Sequence, residues 1–184
     1  MPKERGFTLI ELLVVIAIIG MLSSVVLSEL NRARSKAKIA KEFAQIHQLK
    51  IAAMSYSADT GNFVPFCDLD CTALTDPFLN ALSVPGWGGP YFPNGTYALN
   101  DAWGGHLTIG FSDITSDSVP ENYILLDDDA AGTNYSDDTG VIPTSSLLEI
   151  DQKFDDGNLS TGNARGDGNG YGTVVGEMRI IYNP

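Results

Sequence analysis

Residues 7–28 read F-T-L-I-E-L-L-V-V-I-A-I-I-G-M-L-S-S-V-V-L-S, and one charge, Glu11, interrupts the run. As a helix with a rise of about 1.5 Å per residue, this run is about 33 Å long, enough to cross the hydrocarbon core of a bilayer. The residues before it, Met-Pro-Lys-Glu-Arg-Gly, are short and charged. Lys3 and Arg5 argue that this end stays cytoplasmic and that the downstream chain lies outside. Glu11 is out of place on these terms. An unpaired carboxylate in lipid costs at least about 2–3 kcal/mol, so it implies a partner. A cut between Gly6 and Phe7 would create a positive amine one helical turn from Glu11. A neighbouring subunit's Glu11 could meet that amine instead, and charge neutralisation between subunits would favour assembly inside the membrane.

Gly6-Phe7-Thr8-Leu9-Ile10-Glu11-Leu12-Leu13-Val14-Val15 resembles the prepilin processing motif of type IV pilins and type II secretion pseudopilins. The resemblance covers residues 1–30. It implies a leader over residues 1–6, cleavage after Gly6 by a prepilin peptidase, N-methylation of Phe7 and a docking role for Glu11. Residues 7–30 would be the transmembrane and polymerisation half of a long helix. The implied partners are further copies of this chain, other pilins or pseudopilins, the peptidase and an inner-membrane assembly platform. The implied location is a single-pass protein of the inner membrane, then a periplasmic or cell-surface filament. Two plainer readings fit less well. A secretory signal would be cut after its apolar core and would rarely hold a Glu there. A simple anchor explains the hydrophobicity but not the string G-F-T-L-I-E.

From Leu30 to Ser57 neither Pro nor Gly occurs, and alanines are frequent. Ile39, Phe43, Ile46, Leu49 and Ala53 recur at steps of three and four, which is one apolar stripe at helical spacing. Arg34, Lys38, Lys41, Gln45 and Gln48 are expected to face away from it. Residues 31–58 are therefore predicted to continue the helix as an amphipathic half, ended by Asp59-Thr60-Gly61-Asn62. Arg32, Arg34, Lys36, Lys38 and Lys41 make a basic run. It reads either as a face that meets acidic neighbours or as a solvated face beside anionic headgroups.

Residues 59–184 are predicted to form a globular β domain. They carry 3 Lys/Arg and 19 Asp/Glu, a balance of −16 against +4 for residues 1–58. Such a domain repels phosphates, so no nucleic acid is expected as a partner. Residues 97–99, 106–111, 123–126 and 174–182 are the strand candidates. Residues 147–151 read as a short helix with Ser145 or Ser146 as N-cap. A small antiparallel sheet laid on the amphipathic helix would satisfy both apolar faces. The expected fold is α+β and pilin-like, with long loops.

Two segments, Gly86-Trp87-Gly88-Gly89-Pro90-Tyr91 and Asp101-Ala102-Trp103-Gly104, resemble the W-x-G-P-Y and D-P-W-G segments of the major pseudopilin of type II secretion. Ala102 departs from the usual Pro, and the stretch after residue 112 is long for that protein. The bland alternative is aromatic packing around Gly and Pro turns. Residues 150–158, with Thr161-Gly162-Asn163, are similar to a C-terminal segment of other pilin-like chains. Their physical reading is turn formation.

Acidic loops raise the question of calcium. Asp127-Asp128-Asp129-Ala130-Ala131-Gly132 with Asp138 places oxygens at the first, third and twelfth positions of a calcium loop and Gly at the sixth. Ala131 and the final aspartate depart from that pattern. Asp155, Asp156, Asp167 and Asn169 are further oxygen ligands in flexible loops. Solvated acidic loops are the commoner meaning of such runs. The family resemblance implies calcium as a cofactor in a loop of this domain. Cys67 and Cys71 read as a local disulfide if the domain is extracytoplasmic, or else as two thiols.

His47 and His106 have no neighbouring motif for metal or acid–base work, and no G-x-S-x-G, H-E-x-x-H or P-loop occurs. A filament subunit is the expected function, and not an enzyme. An adhesive or minor pilin-like protein and an anchored extracytoplasmic enzyme are the alternatives.

Overall fold

A computed structural model describes residues 6–66, 74–81, 83–93, 95, 99–115, 117–128, 141–168 and 175–182. Helix α1 spans Leu9–Thr60. It is followed by β1 (His106–Ser112), β2 (Glu121–Asp127), α2 (Thr144–Phe154), β3 (Ala164–Gly166) and β4 (Met178–Ile181). The chain divides into two units, Met1–Ala37 and Lys38–Pro184.

The first unit holds the beginning of α1. Its large apolar side chains, from Phe7 to Leu30, are exposed. Among the described residues α1 is the one helix long and apolar enough to cross a membrane. The uninterrupted run of helix formers after Leu30 lets it continue well beyond a membrane's thickness.

The second unit is a four-stranded antiparallel sheet in the order β1-β2-β4-β3, with α2 and the rest of α1. Period-two alternation explains its core face. Ile109, Ile124, Ile180 and Ala164 pair across the sheet in one row, and Leu107, Leu126, Met178 and Gly166 in the next. Leu147 and Ile150 of α2 join them, as do Ile39, Ile46, Leu49, Ala52, Ala53 and Tyr56 of α1. The expected α+β architecture is therefore the observed one.

Several details differ from expectation. Glu42, not only apolar residues, lies fully buried in the α1 stripe. Phe43 is only partly buried and stacks on Phe154 with ring centroids 4.5 Å apart. Lys41 and Gln45 do not face away. The Lys41 ammonium donates to the carbonyls of Asn100 and Asp101 at 3.3 and 3.0 Å, and the Gln45 amide donates to Asn100 at 3.1 Å. Helix α2 is longer than residues 147–151, and its N-cap is Pro143, with no side-chain cap. Ser146 is buried inside the first turn. The Thr144 hydroxyl donates to Asp167 at 2.7 Å, so a tertiary partner outcompetes local capping. Strand β4 starts only at Met178, because Val175 and Gly176 form a turn. Strand β3 had no signal, being three residues long, with Arg and Gly. Of the candidate strand 97–99, only Leu99 is described. Its carbonyl accepts the Leu107 N–H at 2.9 Å.

Candidate functional site

The sequence points first to Phe7 and Glu11. Phe7 is 83% exposed. At the start of α1, the Glu11 carboxylate accepts the Thr8 backbone N–H and the Thr8 hydroxyl, both at 2.8 Å. In return the Glu11 N–H donates to the Thr8 hydroxyl at 3.2 Å. Thr8-x-x-Glu11 is thus a reciprocal capping box, which satisfies N–H groups that a helix start leaves unpaired. The T-L-I-E spacing carries this signal, and Thr8 is a partner for Glu11 beside the expected amine. In the chain with Gly6 attached, Glu11 is therefore held by a residue three positions before it. Gly6 itself meets nothing within 4 Å at its Cβ position.

A second polar cluster lies in the domain and went unrecognised. Asp101 Oδ1 accepts the N–H groups of Trp103, Gly104 and Gly105 at 2.6, 2.6 and 2.9 Å. This is why the D-A-W-G loop turns as it does. The N–H of Ala102 donates to Glu42 at 2.9 Å, which fastens the loop to α1. Burial, the main cause, and the nearby Asp101 charge push Glu42 up to about 7, against opposing pulls from the Ala102 N–H and Lys41. Burial raises Asp101 too. Lys38 lies over the Trp103 ring at 5.5 Å.

The other aromatic segment closes the end of α1. Tyr91 hydroxyl donates to Asp59 at 2.9 Å and accepts the Gly88 N–H at 2.7 Å, while Trp87 donates to the Pro77 carbonyl at 3.0 Å. Gly86 has φ +84°, and a Cβ there would collide with the Asp59 carbonyl. Both aromatic segments thus dock loops onto the helix.

The acidic candidates separate into two places. Asp127 groups with Asp128 and Glu177, and both aspartates are buried. Asp155 and Asp156 group with Asp151, which the sequence reading had not singled out. Asp167 accepts the Thr144 hydroxyl, at 2.7 Å, and the Gly176 N–H, at 3.2 Å. Asp113, Asp117 and Glu121 form a further, more exposed group. Asp129, Asp138, Asn169, Cys67 and Cys71 lie outside the described residues. His47 is exposed. His106 is fully buried, and burial lowers it to about 4, so it is neutral at pH 7.

A helix whose exposed apolar start carries a processing-type motif, and whose later part packs on a small antiparallel sheet, is the pattern of a filament-subunit class of fold. The family model described as "Prokaryotic N-terminal methylation motif" matches residues 1–27. The fimbrial protein EcpB of Eikenella corrodens is 43% identical over 61 residues, 33% of this chain and 38% of that protein. Type II secretion system core protein G of Escherichia coli is 41% identical over 61 residues, 33% of this chain and 42% of that protein. The same core protein of Klebsiella michiganensis is 36% identical over 107 residues, 56% of this chain and 70% of that protein. The chain belongs to the family of type IV pilins and type II secretion pseudopilins. It spans less than half the length of the first two of these relatives. No solved structure matches it.

Proposed function

We propose that this chain is a structural filament subunit, cut after Gly6, N-methylated at Phe7 and assembled through the N-terminal half of α1. The observation that carries this reading is an exposed apolar run over residues 7–28 whose one carboxylate, Glu11, sits a turn from Phe7. Cleavage would add an amine beside that carboxylate. Glu11 would then exchange Thr8 for the amine of a neighbouring subunit, a charged pair that lipid strengthens. The partners in this reading are a prepilin peptidase, an inner-membrane assembly platform and further pilin-like subunits. The product is a periplasmic or surface filament, and its subunit carries no catalytic role.

Between the two kinds of filament, a secretion pseudopilus is favoured. The match to the fimbrial protein extends over 61 residues, whereas that to the Klebsiella core protein G extends over 107 and so reaches beyond the helix.

The test is electron microscopy of filaments from wild type, Glu11→Ala and Glu11→Gln. Gln retains the reach of a capping box but has no charge. Both variants are expected to lose filaments while still inserting in the membrane. Normal filaments from Glu11→Gln would show that capping, not charge, is what Glu11 supplies, and normal filaments from both would sink the docking role.

A further inference from the structure

The second unit contains a cavity of about 250 Å³ where α1, α2 and the sheet meet. Ile46 of α1, Phe154 of α2, Ala164 of β3 and Ile180 of β4 give it apolar walls. Lys50 of α1 and Tyr182, the residue after β4, line it as well.

The backbone around Tyr182 is fixed from two directions. Its N–H donates to the Asn122 carbonyl at 2.9 Å, and the Ile181 N–H donates to the Asn163 carbonyl at 2.8 Å. Tyr182 is 5% exposed, and its hydroxyl is buried with no hydrogen-bond partner. Burial raises the phenol above its ordinary value, so it keeps its proton and is a donor at neutral pH. The Lys50 ammonium stands over the same ring, 6.0 Å from its centroid. Lys50 is half-buried, and among the described residues it has no ion-pair partner.

A buried hydroxyl without an acceptor is costly, and proteins seldom leave one so. Phenylalanine would fill nearly the same space without that cost. The other groove along α1 differs. Tyr91 lines it with Ile51, but the Tyr91 hydroxyl is already paired with Asp59 and Gly88. At Tyr182 two donors share one ring, and each lacks an acceptor. The space exceeds the roughly 30 Å³ of one water and falls just below the range of drug-sized pockets, about 300–1,000 Å³.

We propose that this cavity binds a small monocarboxylic acid, its apolar body against Ile46 and Ile180 and its carboxylate at the Tyr182 hydroxyl and the Lys50 ammonium. Hydrogen bonds to an ionised group are the strong ones, and here both donors meet one charge. Asp155 also lines the cavity, and its Oδ2 accepts the N–H groups of Asn163 and Ala164. Its charge, with the balance of −16 over residues 59–184, opposes a dianion such as a phosphate monoester. An alcohol of the same shape answers the hydroxyl but not the ammonium, and an amine is repelled by the ammonium. The site lies within one subunit, so binding does not require filament assembly.

The test is fluorine NMR of para-fluorobenzoate with the full chain in detergent micelles, set against micelles without protein. Unlabelled benzoate is the competitor, and para-fluorobenzyl alcohol and para-fluorobenzylamine are the neutral and cationic controls. Wild type is expected to bind the acid saturably and release it to benzoate, with both controls at least about tenfold weaker. Tyr182→Phe and Lys50→Gln are each expected to weaken the acid at least about tenfold. Without ligand, Tyr182→Phe should melt no lower than wild type, because the hydroxyl it removes has no partner. Lys36→Gln, at an exposed position, should leave binding unchanged. No saturable binding by wild type, undiminished binding in either cavity variant, or equal binding of the alcohol or amine would overturn the site. So would an equal loss in Lys36→Gln or a lowered melting temperature of Tyr182→Phe.

Discussion

Leu13 and Leu49 are the same residue on the same helix, yet one is 56% exposed and the other is fully buried. The first lies in a stretch that is apolar on all sides. Such a helix has no single face for a domain to cover and needs lipid or another copy of itself. The second lies on a stripe at steps of three and four residues, Ile39, Glu42, Ile46, Leu49, Ala53 and Tyr56, and the same chain supplies its cover. One helix thus carries two kinds of surface, one apolar all round and one an apolar stripe, and the pattern of apolar residues, rather than their number, tells them apart.

The largest break in this comparison comes from truncating the stripe. Leu49→Ala is expected to cost about 2–5 kcal/mol, the usual range for a core leucine, and to lower the melting temperature in detergent. Leu13→Ala should leave that melting temperature unchanged, since Leu13 is already 56% exposed. Equal melting shifts in the two variants would erase the distinction between the halves.

Glu42 sharpens the comparison, because it is the one charged member of the buried stripe. Its carboxyl is raised from 4.5 to about 7. Between these values the folded chain holds a proton that the unfolded chain has released. Stability should therefore fall as pH rises through this window and level off above about pH 7, with a loss of about 3 kcal/mol. Glu42→Gln keeps an acceptor for the Ala102 N–H and cannot ionise. Chemical denaturation from pH 4 to pH 8 should show a flatter profile for it than for wild type. Parallel profiles would mean that Glu42 stays charged when buried.

The smallest effect expected is at the edge of the stripe. Lys38→Ala removes the cation over the Trp103 ring and should cost about 0.5–1 kcal/mol. A larger loss would show that the Trp103 loop depends on this contact as well as on Glu42.

These residues also show how far a local pattern can be read. The length of α1, its membrane-compatible half and the position of Glu11 followed from neighbours three or four residues apart. Helical spacing is a local property, so it is legible in sequence. The capping box of Thr8 and Glu11 was legible too, being an i, i+3 pattern, but the apolar context drew attention to the charge instead. Strands β1 and β2 announced themselves through apolar and β-branched runs, as did the end of β4. Strand β3 did not, because its pairing with β4 rather than its composition makes it a strand.

Sequence by itself therefore determined the helix, the all-round apolar stretch with a carboxylate near its start, and the class of domain that follows. Only the tertiary structure decided which acidic residues matter. The Glu42 partner is Ala102, 60 residues away in the chain. The burial of Asp151 depends on α2, the turn after it and the strand to which that turn leads. An acidic side chain in a sequence looks solvated until some distant segment covers it. Its energy is then set by desolvation and by the charges brought beside it, neither of which a local pattern contains.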